Sequence, residues 1–260
     1  MGARMGTLRR VQKLWNKWKD DPGAKDFIKN NFQYAMKENF VFASNRLEGV
    51  GTQDINGTRE VIQKSIRSPN RIERETKQTM DALVYINELW EDILLADQPI
   101  NAQSVLLTLP NIQDSHRILM KGLLPNAGEM RTSEAFTNRP MGVHFYRPPT
   151  KIPAELQGLI DQTNIALSSC HSLTRLVEIC THWLLEFLEI HPFSDGNGRT
   201  ARLWLSFMLL SSFPFIIYIP YGLRDDYIAS LQKESKPNLR KVLEQSILQC
   251  VESLDRAMER

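Results

Sequence analysis

The chain has 260 residues, 42% of them apolar and 24% charged, and a net charge of +2. This is enough for one large globular domain, or a domain with an accessory segment, and a charge so near zero carries no global sign of a nucleic-acid partner. No stretch approaches the ~18 consecutive apolar residues of a membrane span, and the basic start leads into Trp15, Asn16 and Lys17 rather than the apolar run of a signal peptide. Cys170, Cys180 and Cys250 are an odd number without metal-ligand spacing, so buried reduced thiols and a cytoplasmic location are expected.

Helical periodicity dominates the chain. Leu8, Val11, Leu14, Trp15 and Trp18 form a stripe on a basic helix, whose cations Arg4, Arg9, Arg10, Lys13, Lys17 and Lys19 are nearly unopposed locally. Docking of that stripe on the protein body is the expectation, with a membrane surface as the alternative. Asp21-Pro22-Gly23 breaks the chain. Phe27, Ile28, Phe32, Ala35, Met36, Phe40, Ala43 and Leu47 then recur at spacings of three and four, as on a second helix. Gly49 is placed to cap it in the left-handed conformation, and a short polar loop follows.

A long helix is expected from about Arg71 to Asp97, with Met80, Leu83, Val84, Trp90, Ile93 and Leu94 facing inward. Around Asn138-Arg139-Pro140 the pattern changes to extended structure, and Pro148-Pro149 ends it, which reads as one short β-hairpin. Helices resume over about Pro153–Ser168, Ser172–Ile190, Gly198–Ser212, Arg224–Glu234 and Asn238–Arg260. The expected fold is all-α, with that hairpin as the notable β element.

Between two of these helices lies "HPFSDGNGRTAR", residues 191–202. A helix N-terminus here offers unpaired N–H groups and a positive dipole end. Gly196 and Gly198 let backbone approach a bound group, and Asn197 can present its N–H and side chain to the same group, making an anion nest suited to a diphosphate. Arg199 and Arg202 lie three apart on one helical face, placed for successive phosphates. Asp195 is a hard oxygen ligand beside them, sufficient for Mg²⁺, and His191 is positioned to take a proton from an incoming hydroxyl. Any one of these residues alone reads as a turn; the set within twelve positions does not.

The segment resembles the Fic signature His-x-Phe-x-Asp/Glu-Gly-Asn-Gly-Arg-x-x-Arg at every specified position. The likeness extends to "HRILMKGLLPNAGEMRT" and to the hairpin, roughly over residues 75–245. It implies a Fic-fold helical bundle that moves AMP from ATP to a Ser, Thr or Tyr hydroxyl of a target protein, with Mg²⁺. On that resemblance His191 is the base, Asp195 the metal ligand and Phe193 the anchor of the loop. Gly196, Asn197 and Gly198 hold the α- and β-phosphates, Arg199 and Arg202 the β- and γ-phosphates, and Tyr227 lies near the adenine. The hairpin resembles the family's flap, so Ser133, Glu134, Ala135, Phe136, Thr137 and Asn138 would dock the target by strand addition. Relatives with lysine at the second glycine are phosphotransferases, so Gly198 points to nucleotidyl transfer. A homodimer is expected only by analogy with the family.

"SNRLEG", residues 44–49, ends the second apolar stripe. Ser44 and Glu48 share a helix face, and a glutamate at a helix C-terminus opposes the dipole, which suggests a cationic partner. The pattern resembles the inhibitory helix that precedes the core in one Fic class, with Ser44, Glu48 and Gly49 at the matching positions. In that class the glutamate pairs with the second motif arginine, here Arg202, and displaces the γ-phosphate; in some members it positions the water that removes AMP again. The chain then divides into an N-terminal helical extension, residues 1–70, with the inhibitory helix at about 36–49, and a Fic core, residues 71–260. Three readings follow: a self-inhibited AMP transferase, a de-AMPylase, or a nucleotide-sensing interaction module with weak chemistry, against which the intact His191 speaks.

Overall fold

The computed structural model describes residues 6–95, 106–139 and 142–260. The second part of the expected turn, Pro140 onward to Met141, and the segment 96–105 lie outside them. Helices account for the fold: α1 (Thr7–Trp18), α2 (Pro22–Phe27), a π turn (Ile28–Phe32) leading directly into α3 (Gln33–Leu47), α4 (Ile55–Gln63), α5 (Arg71–Leu95), α6 (Leu109–Leu119), α7 (Ile152–Ser168), α8 (Leu173–Ile190), α9 (Asn197–Leu209), α10 (Arg224–Gln232) and α11 (Lys236–Met258). Strands β1 (Phe136–Arg139) and β2 (Gly142–Phe145) pair antiparallel, with Phe136 opposite Phe145 and Thr137 opposite His144.

Local signals set these boundaries. Asp21 accepts the Ala24 N–H at 2.7 Å, with Pro22 at the first helical position. Ser172 caps α8 through the Arg175 N–H at 3.2 Å, and Thr108 caps α6 through Asn111. α9 is the central helix. Leu203, Trp204, Leu205, Phe207 and Met208 are all buried, so it is apolar on nearly every side and is packed by α5, α6 and α8. Its polar needs are met internally: Trp183 Nε1 donates to Ala201 O at 3.2 Å, and Trp204 Nε1 donates to Ser115 Oγ at 3.0 Å.

The basic stripe of α1 docks on the body. Val11 is buried, and the Trp15 ring lies 5.7 Å from Phe213 and 5.9 Å from Phe215. Two of the cations that look unopposed in sequence meet α11: Arg10 pairs with Glu252, and Lys17 with Asp255 at 2.9 Å, which also accepts from Trp18 Nε1. Arg4 lies outside the described residues.

Three expectations are corrected. The polar loop after Gly51 contains α4, whose N-cap Asp54 accepts the Gly57 N–H at 2.8 Å. Helix α6 lies in the stretch ahead of the hairpin, where the periodicity predicts no helix. On α5, Val84 and Leu94 face outward, and Ala82 and Ile86 take their places in the core. The three cysteines are buried and unpaired. Among the described residues no helix is long and apolar enough to cross a membrane.

Candidate active site

The loop between α8 and α9 is held from both sides. His191 ends α8 in the left-handed conformation, φ 50° and ψ 59°, which is unfavourable for a residue with a β-carbon. Phe193 is fully buried and stacks on His116 with ring centroids 3.7 Å apart. Asn197 closes the loop on itself: its Oδ1 accepts the Phe193 N–H at 2.9 Å, and its Nδ2 donates to Phe193 O at 2.8 Å. Oδ1 and one Nδ2 hydrogen of Asn197 are thereby engaged in closing the loop, a role that its sequence position does not announce. Its backbone N–H still belongs to the first turn of α9, where intrahelical acceptors are missing.

His116 is the residue that sequence reasoning missed here. It is inaccessible to solvent. Its Nδ1 accepts the Gly128 N–H at 2.8 Å, so Nε2 carries the proton and donates to Asp195 O at 2.9 Å. Burial holds its pKa down at about 4, which keeps this neutral tautomer. Gly196, at φ 78°, passes so close that a β-carbon would meet Met120 Sδ and His116 Nε2.

His191 Nδ1 lies 3.3 Å from Leu188 O. A carbonyl only accepts, so Nδ1 carries the proton and Nε2 keeps its lone pair. Burial lowers its pKa to about 4; Arg131 adds to this, and Glu48 and Asp195 oppose it. The imidazole is therefore neutral here, with Nε2 able to accept a proton. Its ring stacks on Tyr146, just after β2, at 3.8 Å.

Arg202 is buried to 3% side-chain exposure. Its Nη2 lies 2.7 Å from Glu48 Oε1 and also reaches Ser44 O at 2.9 Å, and its Nε donates to Ser44 Oγ at 3.1 Å. The carboxylate is met by Nη2 alone, because Nε is turned to Ser44 Oγ and Ser44 O shares Nη2. Nη1 reaches toward Tyr227 OH at 3.5 Å, and Tyr227 is buried. Gly49, at φ 73°, ends the helix that carries Ser44 and Glu48. The Glu48 carboxylate also lies over Gly198: a β-carbon there would collide with its Oε1. An anionic group thus already sits at the N-terminus of α9, as the dipole favours.

Arg199 is different. It is 3% exposed; among the described residues its Nη2 reaches only Met120 Sδ at 3.4 Å, and Nε and Nη1 are buried without a partner. Desolvation lowers its pKa. A guanidinium left in this condition fits an absent anion. Asp195 is exposed, and its Oδ1 accepts the Gly196 N–H at 2.6 Å. A single hard carboxylate with an open side, next to a phosphate cradle, fits Mg²⁺.

A cavity of about 670 Å³ is lined by Glu48, His191, Gly198, Arg202 and Tyr227, and the hairpin borders it with Thr137, Asn138, His144 and Tyr146. Asp195, Asn197 and Arg199 lie outside that lining. The hairpin alternates as a strand pair should. Phe136, Val143 and Phe145 are exposed, while His144 Nε2 lies 2.9 Å from Glu189 and Arg139 pairs with Glu234. Of the other flap residues, Ala135 O accepts the Tyr146 N–H at 3.0 Å and Ser133 O accepts from Arg131; Glu134, like Ser133, is exposed.

Residues 106–209 match the Fic/DOC family. A Fido domain-containing protein of Dictyostelium discoideum is 34% identical over 115 residues, which span 44% of this chain and 75% of that protein. A protein adenylyltransferase Fic of Nematostella vectensis is 26% identical over 227 residues, 84% of this chain and 48% of that protein. The chain thus spans about half the length of that curated relative. The crystal structure of a Fic domain-containing signaling protein from Bacteroides thetaiotaomicron superposes with a TM-score of 0.77 over 96% of this chain and 97% of that one, at 22% identity.

Proposed function

Because the chain belongs to the Fic/DOC family, we propose that it transfers AMP from ATP to a Ser, Thr or Tyr hydroxyl of a target protein, and that Glu48 restrains the reaction. A relative named as a protein adenylyltransferase supports the activity. The observation that carries the reading is the placement of the Glu48 carboxylate, which rests on Gly198 and pairs with Arg202 at 2.7 Å, where an anionic phosphate would bind.

In the reaction the target hydroxyl gives its proton to His191 Nε2, its oxygen bonds to the α-phosphorus, and the bond to the β-phosphate bridging oxygen breaks, releasing pyrophosphate. The Leu188 carbonyl fixes the tautomer that makes Nε2 the acceptor. A pKa near 4 makes a weak base, and the negative charge of a bound triphosphate raises it toward the working pH. The first N–H groups of α9 and the unpartnered nitrogens of Arg199 hold phosphate oxygens. Mg²⁺ bound at Asp195 would neutralise charge on the phosphates. Arg202 takes the γ-phosphate once Glu48 leaves it, and Tyr227 backs that arginine.

Glu48 lines the same cavity as His191 and remains 38% exposed, which supports a second reaction, removal of AMP. A water that gives its proton to Glu48 would attack the phosphorus of the modified side chain, and the leaving oxygen would take the Nε2 proton of a His191 imidazolium, which the bound phosphate's charge favours. Incubation with ATP labelled in its α-phosphate tests the forward reading. Label should enter protein when Glu48 is removed; label that never becomes covalent overturns it.

A further inference from the structure

We propose that Arg131 is a positioning residue that holds the general base and the target-docking hairpin as one piece, by capping the end of α8 with the hairpin's two flanks. The proposal rests on the reading of His191 and the hairpin given above. It starts from the carbonyls at the end of α8, which a helix leaves without intrahelical donors. Glu189 O accepts the Arg147 N–H at 3.3 Å. Ile190 O accepts Arg131 Nη2 at 3.3 Å, His191 O accepts Arg131 Nε at 2.7 Å, and Pro192 O accepts the Arg131 backbone N–H at 2.9 Å. Both donors flank the hairpin: Arg131 lies before β1 and Arg147 after β2.

The same guanidinium also binds the flanks to each other. Nη1 donates to Ser133 O at 2.7 Å, and Nη2 donates to Arg147 O at 2.5 Å. Arg131 is 2% exposed, and all its side-chain hydrogen bonds go to backbone carbonyls. Among the described residues no carboxylate lies within ion-pair distance of Arg131, and a buried cation is costly unless hydrogen bonds and dipoles compensate it. Here it lies at a helix C-terminus, where the dipole welcomes it, and it secures His191 in a left-handed conformation that a non-glycine residue avoids. It also sets the hairpin so that Tyr146 stacks on the His191 ring. A rigid link between base and docking strand means that a target hydroxyl presented by the hairpin arrives in fixed register with Nε2. Only a planar fork serves four carbonyls in this way; an ammonium is a point donor.

The test uses the full chain and Arg131→Lys, Arg131→Gln and Arg131→Ala, each checked by thermal melting. In hydrogen–deuterium exchange, residues 132–147 and 187–193 should lose protection together, by about tenfold or more. ADP affinity should stay near wild type, while the rate of AMP transfer, compared in the Glu48→Gly background, should fall by about 10²-fold. Free guanidinium should restore part of it to Arg131→Ala. Should the alanine variant not fold, Arg131→Lys, which keeps charge and most of the volume, carries the decision. Wild-type exchange in both segments, or loosening of the hairpin while 187–193 stays protected, overturns the proposal. Absence of AMP transfer by every form would instead overturn the functional reading, and the exchange data would still decide the link.

Discussion

Glu48 Oε1 and Arg202 Nη2 stand 2.7 Å apart, with the carboxylate in the space that a β-carbon on Gly198 would need. A helix from the N-terminal part of the chain therefore places its charge at the N-terminus of α9. Arg202 keeps two further bonds to Ser44, so helix α3 is held even at the backbone level. The pair is only partly buried on the glutamate side, so its separation costs less than that of a fully buried pair. That suits a restraint that must be released.

His191→Ala should abolish AMP transfer and leave nucleotide binding intact. A positioned general base contributes about 10²–10⁴-fold. Transfer to self or target is measured in parallel with ADP binding by calorimetry; undiminished transfer sinks the assignment.

Arg199 carries an unusual prediction, because its cost and its use fall in different states. Its buried Nε and Nη1 have no partner among the described residues. Arg199→Met should therefore raise the melting temperature of the nucleotide-free protein, since it removes a desolvated, unpaired charge. The same variant should bind ADP about tenfold or more weakly, because charge-assisted hydrogen bonds contribute about 1.5–3 kcal/mol. A variant that is less stable and binds normally would show that Arg199 is structural.

Asp195→Ala should remove the Mg²⁺ dependence of nucleotide binding. Titrations with and without the ion compare it with wild type. A variant whose affinity still rises with Mg²⁺ as wild type's does would place the metal elsewhere.

His116, buried, and His191, half-buried, make stability depend on pH. Burial lowers His116 and His191 from 6.5 to about 4. Between these values the unfolded chain binds protons that the folded chain does not, so stability falls as pH falls through that window. The full effect is on the order of 3 kcal/mol for each histidine. Urea unfolding from pH 7 to 4.5, without divalent metal, should show this slope, and His116→Asn should reduce it by about one proton. An unchanged slope in the variant would mean that His116 titrates normally.

What the sequence made legible was chemistry carried by side-chain type and spacing. The motif from His191 to Arg202, the apolar stripe ending at Glu48 and the alternating hairpin each announce themselves by pattern. Residues that act on backbone carbonyls do not. His116 and Arg131 lie in "HRILMKGLLPNAGEMRT", where nothing in spacing marks a histidine that bonds Asp195 O or an arginine that caps α8. Helix α4 was hidden because "INGTREVIQ" begins with a turn-like Asn-Gly, and the signal that mattered was the capping Asp54 ahead of it. Val84 and Leu94 misled because an apolar residue is free to face solvent, and the face of a long helix is settled by its neighbours. Asn197 is legible as a ligand donor, and its part in closing the loop is not.

The central claim is that Glu48 restrains an AMP transferase by occupying Arg202. It is tested most directly by incubating wild type, Glu48→Gly, Arg202→Ala and the double variant with Mg²⁺ and ATP labelled in its α-phosphate, then counting covalent label. Glu48→Gly should label itself strongly above wild type, because Arg202 becomes free for the γ-phosphate. Arg202→Ala should stay low, since it removes the anchor of the restraint and the anchor of the substrate together, and the double variant should match Arg202→Ala. Equal labelling of wild type and Glu48→Gly, or a double variant as active as Glu48→Gly, would contradict the account.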